Sequence, residues 1–294
     1  MTNPVITLRD VSLSLPDSRQ LFSGLNHTFD LNPTGLVGRN GVGKTLLARI
    51  LAGQLSPSQG QRKSSGSVHY LGQQITRIDT AMVHEGLAAC YLLGGGDEYA
   101  IIETGTHNTV PTILALLKER NIDLAKVKYV IPTHVHLDHA GGVGGLMQAL
   151  PAATLLVHPR GARHMIDPAK LKAGATAVYG EAQFAEIYGD IIPVDERRVR
   201  TMEDGDEATV GNRKLVFIDT PGHARHHFCV YDPTSRGIFT GDTFGLSYPP
   251  LTTAKGPFIC PTTTPVQFDP PALKASIRTL LALEPGRIYL THYG

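Results

Sequence analysis

Four side chains able to bind a metal ion stand within six residues, at His134-Val135-His136-Leu137-Asp138-His139. An apolar run, Tyr129-Val130-Ile131-Pro132, leads into them, and the small residues Ala140-Gly141-Gly142 lead out. Such a group can surround an ion only from a sharp loop between a strand and a helix, so no other stretch constrains the fold as strongly. His134 and His136 are alternate residues on an extended loop and can face one ion together, which leaves Asp138 and His139 to a second. Each ion then needs further nitrogen or oxygen donors at ~2.0–2.2 Å from elsewhere in the chain.

Three later strand ends offer them. Thr220-Pro221-Gly222-His223 follows an apolar segment ending at Asp219, and Gly222 frees the backbone to turn the imidazole inward. Thr240-Gly241-Asp242 follows Ile238-Phe239 and places a carboxylate where it can bridge two ions. His292 follows Arg287–Leu290. Ligand-type residues thus recur at the C-terminal ends of expected strands.

A second motif lies near the N-terminus. Gly38-Arg39-Asn40-Gly41-Val42-Gly43-Lys44-Thr45 satisfies G-x-x-x-x-G-K-[ST] at every fixed position. Backbone N–H groups of such a loop curl around phosphate oxygens, the lysine reaches the outer phosphates and the threonine holds Mg²⁺. Leu46, Leu47, Ile50 and Leu51 follow with helical spacing, so the loop opens a helix whose dipole favours anions. Residues 35–53 and 66–73, with Gln73 at the Q-loop position, resemble the ATPase domain of ABC proteins. The resemblance covers residues 1–75 and implies ATP with Mg²⁺ at Gly38, Asn40, Gly41, Gly43, Lys44, Thr45 and Gln73. No L-S-G-G-Q signature follows, and neither Leu215–Asp219 nor the Gly-rich turn ending in Asp97-Glu98 continues as a Walker B strand. ATP turnover is not expected of this fragment.

The length of 294 residues suggests about two domains. A formal charge of +1 supplies no field for nucleic acid or an anionic membrane. Three scattered cysteines, no apolar run of ~18 residues and no signal pattern point to a reducing, cytoplasmic setting without a membrane span. Nothing sets the oligomeric state.

Along the chain, residues 5–15 read as two short strands, Phe29–Leu31 and Gly35–Val37 as further strand pieces, and 54–66 as a polar loop. Beyond Gln74, strands are expected at 75–79, 88–93, 99–103, 127–132, 154–157, 210–219, 228–231, 237–240 and 287–290, with helices at 110–119, 181–188 and 271–283. The segments 158–188, with Arg160, Arg163 and Tyr179, and 243–291, with Phe244, Tyr248 and Phe258, are expected to line or cover the site.

Residues 76–294 resemble the metallo-β-lactamase superfamily, whose pattern H-x-H-x-D-H … H … D … H is met by His134, His136, Asp138, His139, His223, Asp242 and His292. The resemblance implies an α/β fold, an αββα sandwich of two mixed sheets with the site at one edge, preceded by the partial P-loop segment. It assigns His134, His136 and His223 to a first metal, Asp138, His139 and His292 to a second, and Asp242 to both. Two divalent ions are implied, zinc first, with iron or manganese the alternatives. The implied reaction is attack of a metal-bound hydroxide on a small ester, thioester or lactone, with Asp138 or Asp242 orienting the nucleophile and passing a proton. An aspartate rather than a cysteine at the bridging position favours the glyoxalase-II-like and lactonase-like branches. Two other readings are a nucleotide-binding module and an iron-binding redox member of the same fold. Glu103 stands where the family has aspartate, and it is expected to orient the ligand loop. The domain is expected to be truncated just past His292, which would fray and hold its metal weakly.

Overall fold

The computed structural model describes residues 6–15, 17–30, 34, 36, 39, 42–53, 55–65, 75–248, 251–256, 258–262 and 267–293. The chain divides into two compact units, Met1–Gln73 and Gln74–Gly294.

In the first unit, β1 (Ile6–Ser14), β2 (Gln20–Phe29), α1 (Lys44–Leu51) and β3 (Gln59–Ser64) form an antiparallel sheet of order β2-β1-β3 with one helix. Residues 6–14 are one strand, not two. Register shifts after Leu8 and Val11 bend it so that Leu8, Val11 and Leu13 all join Leu47 and Ile50 in the core. The expected polar loop contains β3, since a polar sequence suits an edge strand half in water. Of the expected piece at Phe29–Leu31, Phe29 ends β2, and Leu31, Gly35 and Val37 lie outside the described residues.

The second unit begins with β4 (Ile75–Asp79), β5 (Ala89–Gly95), β6 (Glu98–Ile102), α2 (Val110–Glu119) and β7 (Val127–Ile131). It continues through α3 (Leu137–Ala140), α4 (Val143–Ala149), β8 (Thr154–Val157), α5 (Pro159–Ile166), α6 (Ala169–Tyr179), α7 (Glu181–Tyr188) and β9 (Val199–Thr201). These strands make a six-stranded sheet in sequence order, antiparallel from β4 to β6 and parallel from β6 to β9. Parallel neighbours need crossovers, and α2 to α7 supply them.

The second sheet follows, from β10 (Glu207–Val210), β11 (Arg213–Asp219), β12 (Phe228–Asp232) and β13 (Gly237–Gly241). After the ribbon β14 (Leu246–Ser247) and β15 (Ile259–Cys260), α8 (Pro270–Leu281) carries the chain to β16 (Arg287–Leu290), which pairs parallel to β13. The single strand expected over 210–219 is the second half of a hairpin that turns at Gly211, with φ of 55°.

Each sheet is buried on both faces. Tyr91, Leu93, Ile102 and Ile131 of the first meet Phe217, Phe228 and Phe239 of the second. On the outside, Ile101, Val130 and Leu155 pack against Ile113 and Leu117 of α2 and Leu146 of α4. Ile218, Cys229 and Ile238 pack against Leu280 of α8. Alternation along the strands, Ile101 outward and Ile102 inward, sorts residues between the cores and yields the αββα sandwich.

Candidate metal centre

Five loops at C-terminal strand ends converge at one edge of the sandwich. The loop after β7 carries His134 and His136, and α3 presents Asp138 and His139. Those after β11, β13 and β16 deliver His223, Asp242 and His292, and the one after β6 delivers Glu103. All seven expected ligand residues come together. Their donor atoms form three overlapping groups: His134, His136 and His223; Asp138, His139 and His292; and His134, His139 and Asp242.

His136 Nδ1 lies 2.9 Å from His134 Nε2 and 3.1 Å from His223 Nε2. On the other side, Asp138 Oδ2 is 3.3 Å from His292 Nε2 and 3.5 Å from His139 Nε2. Asp242 sits between the groups, with Oδ2 3.3 Å from His223 Nε2 and Oδ1 3.3 Å from His139 Nε2 and 3.5 Å from His292 Nε2.

Two glycines allow the loops to approach. At Gly222 (φ 137°) a Cβ would sit 2.4 Å from the Leu273 backbone at the start of α8, and at Gly241 (φ 48°) it would meet Thr133 Oγ1 at 2.3 Å and His227 Nε2 at 2.6 Å.

Behind the donors, Glu103 joins three loops. It is buried, at a left-handed φ of 62°. Its carboxylate accepts from Thr133 N (3.1 Å) and Oγ1 (2.6 Å), from His139 Nδ1 (3.0 Å) and from Thr291 Oγ1 (3.0 Å). The expected orienting role therefore extends beyond the His134 loop to His139 and the His292 strand. His292 Nδ1 bonds the Leu87 carbonyl at 3.2 Å, so both His139 and His292 turn Nε2 toward the carboxylates. The expectation that His292 frays is corrected here: the His292 side chain is 8% exposed, Thr291 O accepts from Ala89 N, and His292 O accepts from Ser247 N.

His227 is held by Thr220 Oγ1 at 2.8 Å and accepts from Asp242 N at 3.2 Å, so it braces the aspartate rather than joining the donor set. His158 caps α5 and pairs with Asp219 at 3.2 Å. Thr262 donates to the Asp242 carbonyl. One signal in the sequence pointed to the Glu103 hub, a threonine directly before a ligand-type histidine at both Thr133 and Thr291.

These residues fit divalent cations. His139 Nε2 and Asp242 Oδ1 are buried and 3.3 Å apart, yet neither has a hydrogen-bond partner among the described residues. Burial drives the His134 and His223 imidazoles toward the neutral form and takes His136 down to about 4. Burial opposes ionisation of Asp138 and Asp242, but His139 and its neighbours outweigh it and hold both well below the carboxylate range. Neutral His134, His136 and His223 and ionised Asp138 and Asp242 are the forms that bind metal, whereas, against burial, the same carboxylates push His139 and His292 up, so these two would give up a proton to a cation.

The centre opens into a cavity of about 390 Å³ with a wall of Leu137, Leu171 and Ala175 and the rings of Tyr179 and Tyr188. The segment expected as a covering loop is thus helical, and α6 and α7 supply part of the wall. Of the described residues in the long 243–291 segment only Gln267 reaches this lining; Phe244, Tyr248 and Phe258 do not, and 249, 250, 257 and 263–266 lie outside the described residues. In the first unit, Gly43 (φ 96°) caps α1 and Lys44 Nζ bonds Arg39 O at 2.7 Å. Thr45 lies in the first turn, while Gly38, Asn40, Gly41 and Gln73 lie outside the described residues.

Residues 85–292 match the metallo-beta-lactamase superfamily, and the chain belongs to it. It is accordingly a hydrolase of that superfamily, which generally uses divalent metals. Residues 26–94 match the ABC transporter family, although 75–94 are β4 and most of β5 of the sandwich. A metallo-beta-lactamase fold-containing protein of Sulfurisphaera tokodaii is 27% identical over 71% of this chain and 73% of its own. The crystal structure of an archaeal metallo-beta-lactamase superfamily protein from Sulfolobus tokodaii superposes with a TM-score of 0.59 at 27% identity, covering 75% of this chain and 80% of that one. A hydroxyacylglutathione hydrolase of Brucella ovis is 32% identical over 39% of this chain, which spans 33% of that protein's length. Among the described residues no helix is long and apolar enough to cross a membrane.

Proposed function

We propose that residues 76–294 form a dinuclear metal hydrolase acting on a small ester, thioester or lactone. One observation carries the two-ion reading: Asp242 lies 3.3 Å from a histidine of each donor triad, His223 on one side and His139 on the other. His134, His136 and His223 would hold one ion, Asp138, His139 and His292 the other, with Asp242 shared. Zinc suits mixed nitrogen and carboxylate donors, with iron or manganese the alternatives. Divalent ions at this place supply Lewis acidity to a carbonyl and make water more acidic.

The protein's own groups do the rest. Leu137, Leu171 and Ala175 give the substrate an apolar wall that limits water. Asp138 lines the cavity with its side chain 26% exposed, so by position it is the better placed of the two aspartates to take a proton from water and return it to the leaving group. Asp242, more deeply set and hydrogen-bonded through its own backbone, orients rather than shuttles.

Residues 1–75 are read as a partial ABC-ATPase-like segment able to take ATP with Mg²⁺ through Gly38, Asn40, Gly41, Gly43, Lys44, Thr45 and Gln73; retention of labelled ATP by the full chain tests it. For the hydrolase, the test is an ester, thioester and lactone panel on metal-loaded protein with and without His136→Ala. Loss of activity in the variant supports the reading, and activity that survives it overturns it.

A further inference from the structure

A second cavity, about 450 Å³, adjoins the metal centre and differs from it in charge. Arg160, Arg163 and His164 of α5 line one side, and Arg225, His226 and Gln267 the other. Among the described residues no carboxylate lines it, and none forms an ion pair with the three guanidinium groups. Asp219, the acid near α5, is paired with His158 and is absent from the lining. In a chain of net charge +1, three arginines around one hollow with no carboxylate partner among the described residues are a local excess that favours an anion.

The cavity also shares a wall residue with the metal-centre cavity. Gln267 lines both, and its Oε1 is fixed by accepting from Arg225 N at 3.0 Å. The His226 ring lies 5.5 Å from the His136 ring. His226 thus borders both the arginine cavity and His136 of the donor set.

We propose that this arginine cavity seats an anionic group, a carboxylate or a phosphate, on the part of the substrate remote from the scissile bond. The assignment rests on the hydrolase reading above and narrows its substrate class. Guanidinium forks pair with planar or tetrahedral oxyanions through charge-assisted hydrogen bonds, so the arginines set affinity and register and take no part in the chemistry.

The test uses metal-loaded full-length protein and thioesters that share one acyl group but carry a neutral, a carboxylate-bearing or a phosphate-bearing thiol. The kcat/KM ratio of the better anionic substrate to the neutral one is expected at ~10 or above, and to fall about tenfold, through KM, in Arg160→Ala/Arg163→Ala and in Arg163→Glu. Arg163→Lys is expected to keep part of it, and the two anionic arms tell carboxylate from phosphate. A ratio near one in the wild type, or one unmoved by the arginine changes, overturns the proposal and leaves the hydrolase reading standing. Calorimetric titration with succinate and with inorganic phosphate gives a readout independent of turnover. Binding lost in the double arginine variant and kept in His136→Ala upholds the site even if no thioester is cleaved. Binding lost only in His136→Ala, or by neither anion, overturns it.

Discussion

Glu103→Gln is the most informative single change behind the metal centre. The carboxylate accepts four hydrogen bonds, three at Oε1 from Thr133, His139 and Thr291 and one at Oε2 from the Thr133 amide. A glutamine is nearly the same shape, but its NH₂ must replace one oxygen. Placed at Oε2 it faces the Thr133 N–H, donor against donor, and the remaining three bonds lose their charge assistance. A buried donor left without its acceptor costs ~1–3 kcal/mol, so the total is about 3 kcal/mol. For a domain of this size each kcal/mol moves Tm by about 2–4 °C, which gives a fall of ~6–12 °C. Orientation of His139 and of the Thr133 and Thr291 loops is loosened together, so metal affinity should drop ~10–100-fold. Thermal melts with and without metal, alongside chelator competition, measure both. Glu103→Asp keeps the charge but is one methylene too short to hold all three loops, and should fall between. A Glu103→Gln protein with unchanged metal affinity and a Tm within about 2 °C of wild type would show that this carboxylate does not join the loops.

Gly222→Ala drives a Cβ into the Leu273 backbone at 2.4 Å in a φ of 137°, so it should cost more than ~1 kcal/mol and displace His223; a melt and a metal assay check it. Arg213→Met leaves the Asp232 carboxylate buried without its guanidinium, for a loss of ~3–5 kcal/mol by urea unfolding. Burial of Asp79 opposes its ionisation, but the N–H groups of Ala81 and Gly86 and the Tyr293 hydroxyl outweigh it and lower its pKa. A lowered folded pKa means its stabilisation is complete above ~4 and is lost as pH falls through the folded value. The Tm gap between wild type and Asp79→Asn should therefore be wide at pH 7 and close toward pH 3, and an equal gap at both would refute the assignment.

The sandwich was legible because its strands are short, apolar and punctuated by glycine, and because each donor closes a strand. The gathering of the candidate donors was legible for the same reason: His223, Asp242 and His292 are ordinary alone and meaningful only as a recurrence. What escaped was tertiary in origin. β3 is polar and becomes a strand only because β1 offers it an edge, and α3, α4 and α6 lie in stretches whose small residues and glycines blur any helical stripe. The arginines of α5 were visible, but their meeting with Arg225 depends on the α5–β11 side of the fold rather than on any spacing. The concern for His292 came from its sequence position, whereas Leu87 and Ser247 bond it from two separate segments and Ala89 N bonds the carbonyl of Thr291 before it.

The central claim is that Asp242 joins two ion sites. Metal titration of the chelator-stripped full chain, followed by elemental analysis, tests it directly. Two equivalents per chain are predicted for the wild type, with His136→Ala lowering the affinity at one site and Asp242→Ala weakening both. Saturation at a single equivalent, or an Asp242→Ala protein that still takes up two ions with wild-type affinity, would contradict it.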